Sequence, residues 1–156
     1  MGRQLIKYSF AFIFALGVLL VPYYKPIIVY ECTGTEMFPT YYGCPFIYKA
    51  TNLGTSLAWD FFFWPTLANL VIWMTFFLLL RQIAYKTLLK YENKIIKYCY
   101  VAVKFIFTIY FLFWIAVSFN YPGYALESSV DFESEAKAWG MTCEGHISFK
   151  EYKSPD

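Results

Sequence analysis

Between Asp60 and Arg81 the chain reads Phe61-Phe62-Phe63-Trp64-Pro65-Thr66-Leu67-Ala68-Asn69-Leu70-Val71-Ile72-Trp73-Met74-Thr75-Phe76-Phe77-Leu78-Leu79-Leu80, twenty residues without a charge. A helix of that length rises about 30 Å, the thickness of a bilayer's hydrocarbon core. Apolar residues occupy every face of it, where an amphipathic surface helix would alternate stripes. The stretch reads as a transmembrane helix over 61–80, and the rest of the sequence is organised around it.

Working outward, a second apolar run covers Tyr98–Phe119 after Lys97, interrupted only by Lys104. A shorter one covers Tyr8–Tyr24, bracketed by Lys7 and Lys25. Tyr23, Tyr24, Trp59, Trp64, Tyr98, Tyr100, Trp114 and Tyr121 gather at the ends of these runs, as amphipathic rings do at headgroup depth. The whole chain of 156 residues is 59% hydrophobic and 24% aromatic with only 15% charged residues. Soluble domains carry about 25% charged residues, so this composition falls outside that class. It also excludes disorder, which needs low hydrophobicity and high charge. A net charge of +2 gives no footprint for nucleic acid. The expected fold class is an all-α membrane protein, with three transmembrane helices (8–24, 61–80, 98–119) and a small mixed α/β extracytoplasmic cap. The first helix reads as an uncleaved anchor, because Val21-Pro22-Tyr23-Tyr24 lacks the small residues a signal peptidase requires.

Charge sets the expected orientation. Segments 1–7 and 81–97 hold Arg3, Lys7, Arg81, Lys86, Lys90, Lys94 and Lys97 against the single acid Glu92. The loop 25–60 holds Lys25 and Lys49 against Glu31, Glu36 and Asp60, and the tail 120–156 is acidic. Basic residues beside spans stay cytoplasmic. The N-terminus is expected inside and the C-terminus outside the cytoplasmic (inner) membrane of a bacterium. On a helical wheel Lys86, Lys90, Lys94 and Lys97 form one stripe, so 81–97 is expected as a basic amphipathic helix that meets anionic lipid headgroups or extends a span.

The loop and the tail supply the cap. Ile27–Tyr30 and Pro45–Tyr48 have strand composition. Thr33-Gly34-Thr35 and Tyr42-Gly43 read as turns. Asp131–Trp139 reads as a short helix ending at Gly140, and His146–Lys153 as an edge strand. The Glu92-Asn93 pair can turn the connection, and Ser154-Pro155-Asp156 is expected to fray.

Candidate chemistry is sparse. Cys32, Cys44 and Cys143 fall outside under this orientation, where disulfides are the rule. The expected bond is Cys32–Cys44, whose closure is worth about 3 kcal/mol in a loop-entropy model. Cys143 and His146 have ligand-like spacing, so Cys32, Cys44, Cys143 and His146 form a weaker candidate metal set; the twelve-residue gap from Cys32 to Cys44 argues against it. No Cys-x-x-Cys, catalytic triad or Gly-rich phosphate loop occurs, and no catalytic residue or cofactor is expected. Lys104 is an intramembrane charge, a default mark of an ion or substrate path, though its long stem can reach back to the headgroups. Asn69 lies near mid-bilayer, where an amide needs a partner from another helix, and Ala11 with Ala15 offers a close-packing face. The expected function is that of a non-catalytic accessory or scaffolding subunit of a larger membrane complex, in contact with the lipid bilayer and other membrane protein subunits. The alternatives are an oligomeric transport or channel component using Lys104 and Asn69, and an outward-facing thiol- or metal-dependent enzyme.

Overall fold

Pro22 decides where the first helix stops. Helix α1 covers Gly2–Leu20 and ends with the Val21 N–H donated to the Gly17 carbonyl at 2.9 Å. Proline disfavours helical geometry in the residue before it and cannot itself donate. Strand β1 follows at Tyr23–Thr33, so Tyr23 and Tyr24 belong to a strand and the expected span 8–24 is shortened. The computed structural model describes residues 2–33, 40–51, 59–87, 94–120, 125–127, 132–138 and 140–150.

After β1 come β2 (Tyr41–Gly43), β3 (Ile47–Thr51) and β4 (Trp59–Phe62). Helix α2 then covers Phe63–Thr87 and α3 covers Lys94–Asn120. Strand β5 (Ala125–Glu127), helix α4 (Phe132–Ala138) and strand β6 (Thr142–Lys150) complete the described elements. Helix α2 starts at Phe63 rather than Phe61 because Phe61 pairs with β3 and Phe62 with the later strand of residues 125–127, and Pro65 falls in its first turn, where a missing N–H costs little. It runs on through Arg81, Gln82, Ala84 and Lys86, all good helix formers apart from no breaker among them. Lys86 therefore belongs to α2, and Lys94 and Lys97 to α3, with Lys90 outside the described residues. The segment expected as a basic helix thus extends α2 at one end and begins α3 at the other, and its middle, residues 88–93, lies outside the described residues.

Among the described residues, the six strands form one sheet in the order β5-β4-β3-β2-β1-β6. Strands β1 to β4 are an antiparallel meander, β6 runs antiparallel to β1, and β5 runs parallel to β4. The chain is therefore a mixed α/β fold rather than an all-α one, because the loop and the tail both contribute to one sheet. The β1–β6 register shifts between Tyr23 and Ile27, across Pro26, which cannot join the ladder. Tyr42 and Gly43 lie within β2, and the bend falls at Cys44-Pro45-Phe46, which includes a cis peptide bond before Pro45. The other expected turn lies mostly in residues 34–39, outside the described ones, as do Glu92-Asn93 and Ser154–Asp156. The expected tail helix is present as α4. It closes on Gly140, whose φ of 67° is the left-handed geometry that favours glycine at a helix C-terminus. There the Gly140 and Met141 N–H groups donate to the Lys137 and Ala136 carbonyls at 3.0 and 2.9 Å.

The chain divides into two compact units. One comprises Met1–Val21 and Leu70–Phe119, the other Pro22–Asn69 and Asn120–Asp156. In the first, Ala11, Ala15, Leu19 and Phe111 are buried, and Phe14 meets Phe77 and Phe111 edge-on with centroids 5.4 and 5.1 Å apart. In the second, Ile27, Val29 and Tyr42 form one cluster with Trp59 against it, and Tyr41, Ala50 and Phe62 form another with Tyr30 and Ile47. Among the described residues two helices, Phe63–Thr87 and Lys94–Ser118, are long and apolar enough to cross a membrane, and Ile6–Leu20 is a shorter apolar helix.

Candidate functional site

Strand β6 is one of the two edge strands, and among the described residues no strand pairs with its outer side. Its pairing with β1 extends from Tyr23↔Lys150 to Thr33↔Thr142, the longest strand contact in the sheet. Along it, Ile147 and Phe149 are 72% and 64% exposed. Both point to the same face of the strand by the two-residue period. Gly145 lies opposite Tyr30, and a Cβ there would come within 2.7 Å of the Tyr30 ring. The ring thus covers the backbone of β6 and keeps the strand seated on β1. An edge of this length, unpaired among the described residues and with large exposed apolar side chains on it, is a surface suited to adding another chain.

A disulfide secures that edge. Cys32 and Cys143 are directly opposed in the β1–β6 register and are bonded. The expected Cys32–Cys44 bond is corrected, because the register brings the tail cysteine, and not the nearer loop cysteine, to Cys32. Cys44 is buried and donates its thiol to the Pro26 carbonyl at 3.3 Å. With two sulfurs consumed in the bond, the set Cys32, Cys44, Cys143 and His146 cannot act as a four-ligand metal site. His146 lies on β6 opposite Val29 and is exposed, and Cys99 is exposed on α3.

The inner part of the sheet is built on two buried lysines that the sequence offered only as topology markers. The Lys25 ammonium donates to the Tyr48 hydroxyl oxygen at 3.0 Å. The Lys49 ammonium sits 4.2 Å from the Trp59 ring centroid and 5.6 and 5.7 Å from those of Tyr42 and Tyr48. Desolvated cations over ring faces gain about 2 kcal/mol or more per good contact, which offsets part of the cost of burying them. The signal available in the sequence was positional: Tyr42, Lys49 and Phe61 become lateral neighbours once β2, β3 and β4 are aligned.

Asn69 is placed differently from the expectation. It is 0% exposed, its side-chain oxygen accepts from the Phe46 N–H at 3.0 Å, and its amide nitrogen donates to the Phe46 carbonyl at 2.7 Å. The amide engages the backbone of Phe46 as a neighbouring strand would, so the partner expected from another helix is here the backbone of the bend between β2 and β3. Thr66, one turn earlier, donates to the Tyr48 carbonyl at 3.4 Å. Ala11 and Ala15 are buried among the chain's own residues. Lys86, Lys94 and Lys97 are exposed. Lys104 on α3 is half-buried, with its ammonium 3.4 Å from the Phe10 ring centroid of α1. No family model, curated protein or solved structure matches the chain. What the geometry defines is a mixed α/β protein with two helices long and apolar enough to cross a membrane.

Proposed function

We propose that this protein is a small multi-pass membrane protein that serves as a non-catalytic accessory or scaffolding subunit, holding a partner chain against the open edge of β6. The observation that carries the reading is the exposed pair Ile147 and Phe149 on an edge strand fixed to β1 by a disulfide. Edge addition supplies main-chain hydrogen bonds for affinity and alternate side chains for specificity.

The topology supports a membrane setting. Loop strands β1 to β4 and tail strands β5 and β6 belong to one sheet, so they share a compartment. As membrane spans, the apolar helices α2 and α3 between them leave that compartment and return to it, an even number of crossings that suits a shared sheet. The Cys32–Cys143 bond suits an oxidising compartment outside the cytoplasm. With α1 as a third crossing, the N-terminus lies inside and the C-terminus outside the inner membrane. The cytoplasmic ends of α2 and α3 then carry the basic residues, as the charge rule requires.

The test is recovery of the protein from its own membranes in a mild detergent, with co-eluting chains identified. The expected result is a defined partner that crosslinks to a photoreactive residue at position 147 or 149. Replacing Ile147 and Phe149 with Lys should abolish co-elution while the disulfide and secondary structure persist, because edge lysines block strand addition. Recovery as a folded lone chain, or association unchanged by the two lysines, would overturn the reading.

A further inference from the structure

In the helical unit, three cations from three different helices line one crevice. Lys7 of α1, Arg81 of α2 and Lys104 of α3 share a cavity of about 310 Å³ with Phe10, Phe14 and Phe107 among its apolar walls. That volume falls at the lower end of the roughly 300–1,000 Å³ range of small-molecule sites. Among the described residues no acid lines the cavity, and a smaller recess beside it is again lined by Lys7, Arg81 and Lys104 with Ile6 and Phe10. All three cations are half-buried. The Lys104 ammonium rests on the Phe10 ring, 3.4 Å from its centroid.

Like charges gathered in apolar surroundings repel one another more strongly than in water. Such an arrangement is stabilised by an anion that the protein's own described residues do not supply. A hydrophilic anion would satisfy the charges but leave the aromatic walls uncovered. An amphiphile satisfies both: its phosphate meets the cations and its chains lie along Phe10, Phe14 and Phe107. In a bilayer the ligand with that chemistry is an anionic phospholipid, whose headgroup lies at the depth reached by snorkelling lysines.

We propose that the crevice of Lys7, Arg81 and Lys104 is a binding site for an anionic phospholipid, its phosphate on the three cations and its acyl chains along the aromatic wall. The proposal rests on reading the helices as membrane-spanning. It gives Lys104 a ligand-binding role in place of a transport one.

The experiment is native mass spectrometry of the full chain in mild detergent, titrated with equal amounts of phosphatidylglycerol and phosphatidylcholine. The expected result is retention of one phosphatidylglycerol in clear preference to phosphatidylcholine. Lys7→Gln, Arg81→Gln and Lys104→Gln should each weaken the preference about fivefold, the effect of one basic charge at a membrane surface. Lys104→Arg should retain it, which keeps the test sound if a neutral variant fails to fold. Equal retention of the two lipids by the wild type, or an undiminished preference in the three Gln variants, would overturn the proposal. Displacement of the lipid by millimolar inorganic phosphate would also overturn it, by assigning the cations to a soluble anion. Resistance of the wild type to carbonate extraction from membranes is read separately. Extraction by carbonate would refute the membrane reading, whereas retained insertion without lipid preference would refute the site alone.

Discussion

Replacing Cys143 with Ser opens a ring with a sequence separation of 111 residues. In the loop-entropy model, closing a ring of that size stabilises the folded state by about 4.8 kcal/mol at 25 °C. If α2 and α3 stay inserted when the sheet unfolds, roughly half of the ring remains free chain. Halving a loop lowers the closure term by only about 0.6 kcal/mol, which leaves about 4 kcal/mol. The bond expected from sequence alone, Cys32–Cys44, would contribute about 3 kcal/mol. The identity of the cysteines therefore decides more than the magnitude does. Denaturant unfolding of the detergent-solubilised protein should show Cys32→Ser, Cys143→Ser and the double variant equally destabilised, since each removes the same bond. Cys44→Ser exchanges one thiol-to-carbonyl hydrogen bond for a hydroxyl one and should change stability by less than about 1 kcal/mol. Non-reducing peptide maps should join the peptides of Cys32 and Cys143. A Cys32–Cys44 peptide, or a Cys44→Ser variant as unstable as Cys143→Ser, would refute the register from which the argument starts.

Two further substitutions probe the helices. Asn69→Leu removes the side-chain partners of the Phe46 N–H and carbonyl, leaving the carbonyl its Cys44 N–H donor at 3.1 Å, and should cost about 1–3 kcal/mol in thermal unfolding, with faster hydrogen exchange at the Phe46 amide; wild-type stability would show that the Phe46 N–H has another partner. Gly17→Ala places a methyl group where the Phe111 side chain already lies and should cost about 1–3 kcal/mol, part of it recovered by adding Phe111→Ala; an additive second loss would refute steric conflict between these two positions.

The helices were legible because hydrophobic length is a local property. Residues 61–80 and 98–119 announce themselves without reference to anything else in the chain. Their ends were not, because strand pairing competes for the same residues: Phe61 and Phe62 are as apolar as their neighbours, yet the sheet takes them, Phe61 against β3 and Phe62 against β5. Proline was the better guide, and Pro22 marks the end of α1 more accurately than the hydrophobic run does. The tail helix and the strand at Ile147 were readable from their periodicity and from Gly140. Their position in the sheet was not, since no local pattern says that the tail pairs with β1. That non-local pairing also governs the cysteines, which is why spacing favoured Cys44 while register favoured Cys143. Asn69 was singled out as an amide needing a partner from another helix, but its partner is the Phe46 backbone, and a backbone group carries no sequence signature.

The pairing of β1 with β6 has a consequence for biosynthesis. Strand β1 is the first strand of the chain and β6 the last described one, with both long apolar helices between them. During synthesis, β1 to β4 can pair as soon as they emerge, but one side of β1 stays open until residues 142–150 have been made and delivered to the same compartment. On the membrane reading proposed above, completion of the sheet depends on α2 and α3 having gone out and come back. An aborted insertion would strand β6 away from β1 and leave Cys32 reduced, which makes oxidation of that cysteine a chemical record that the chain has threaded correctly.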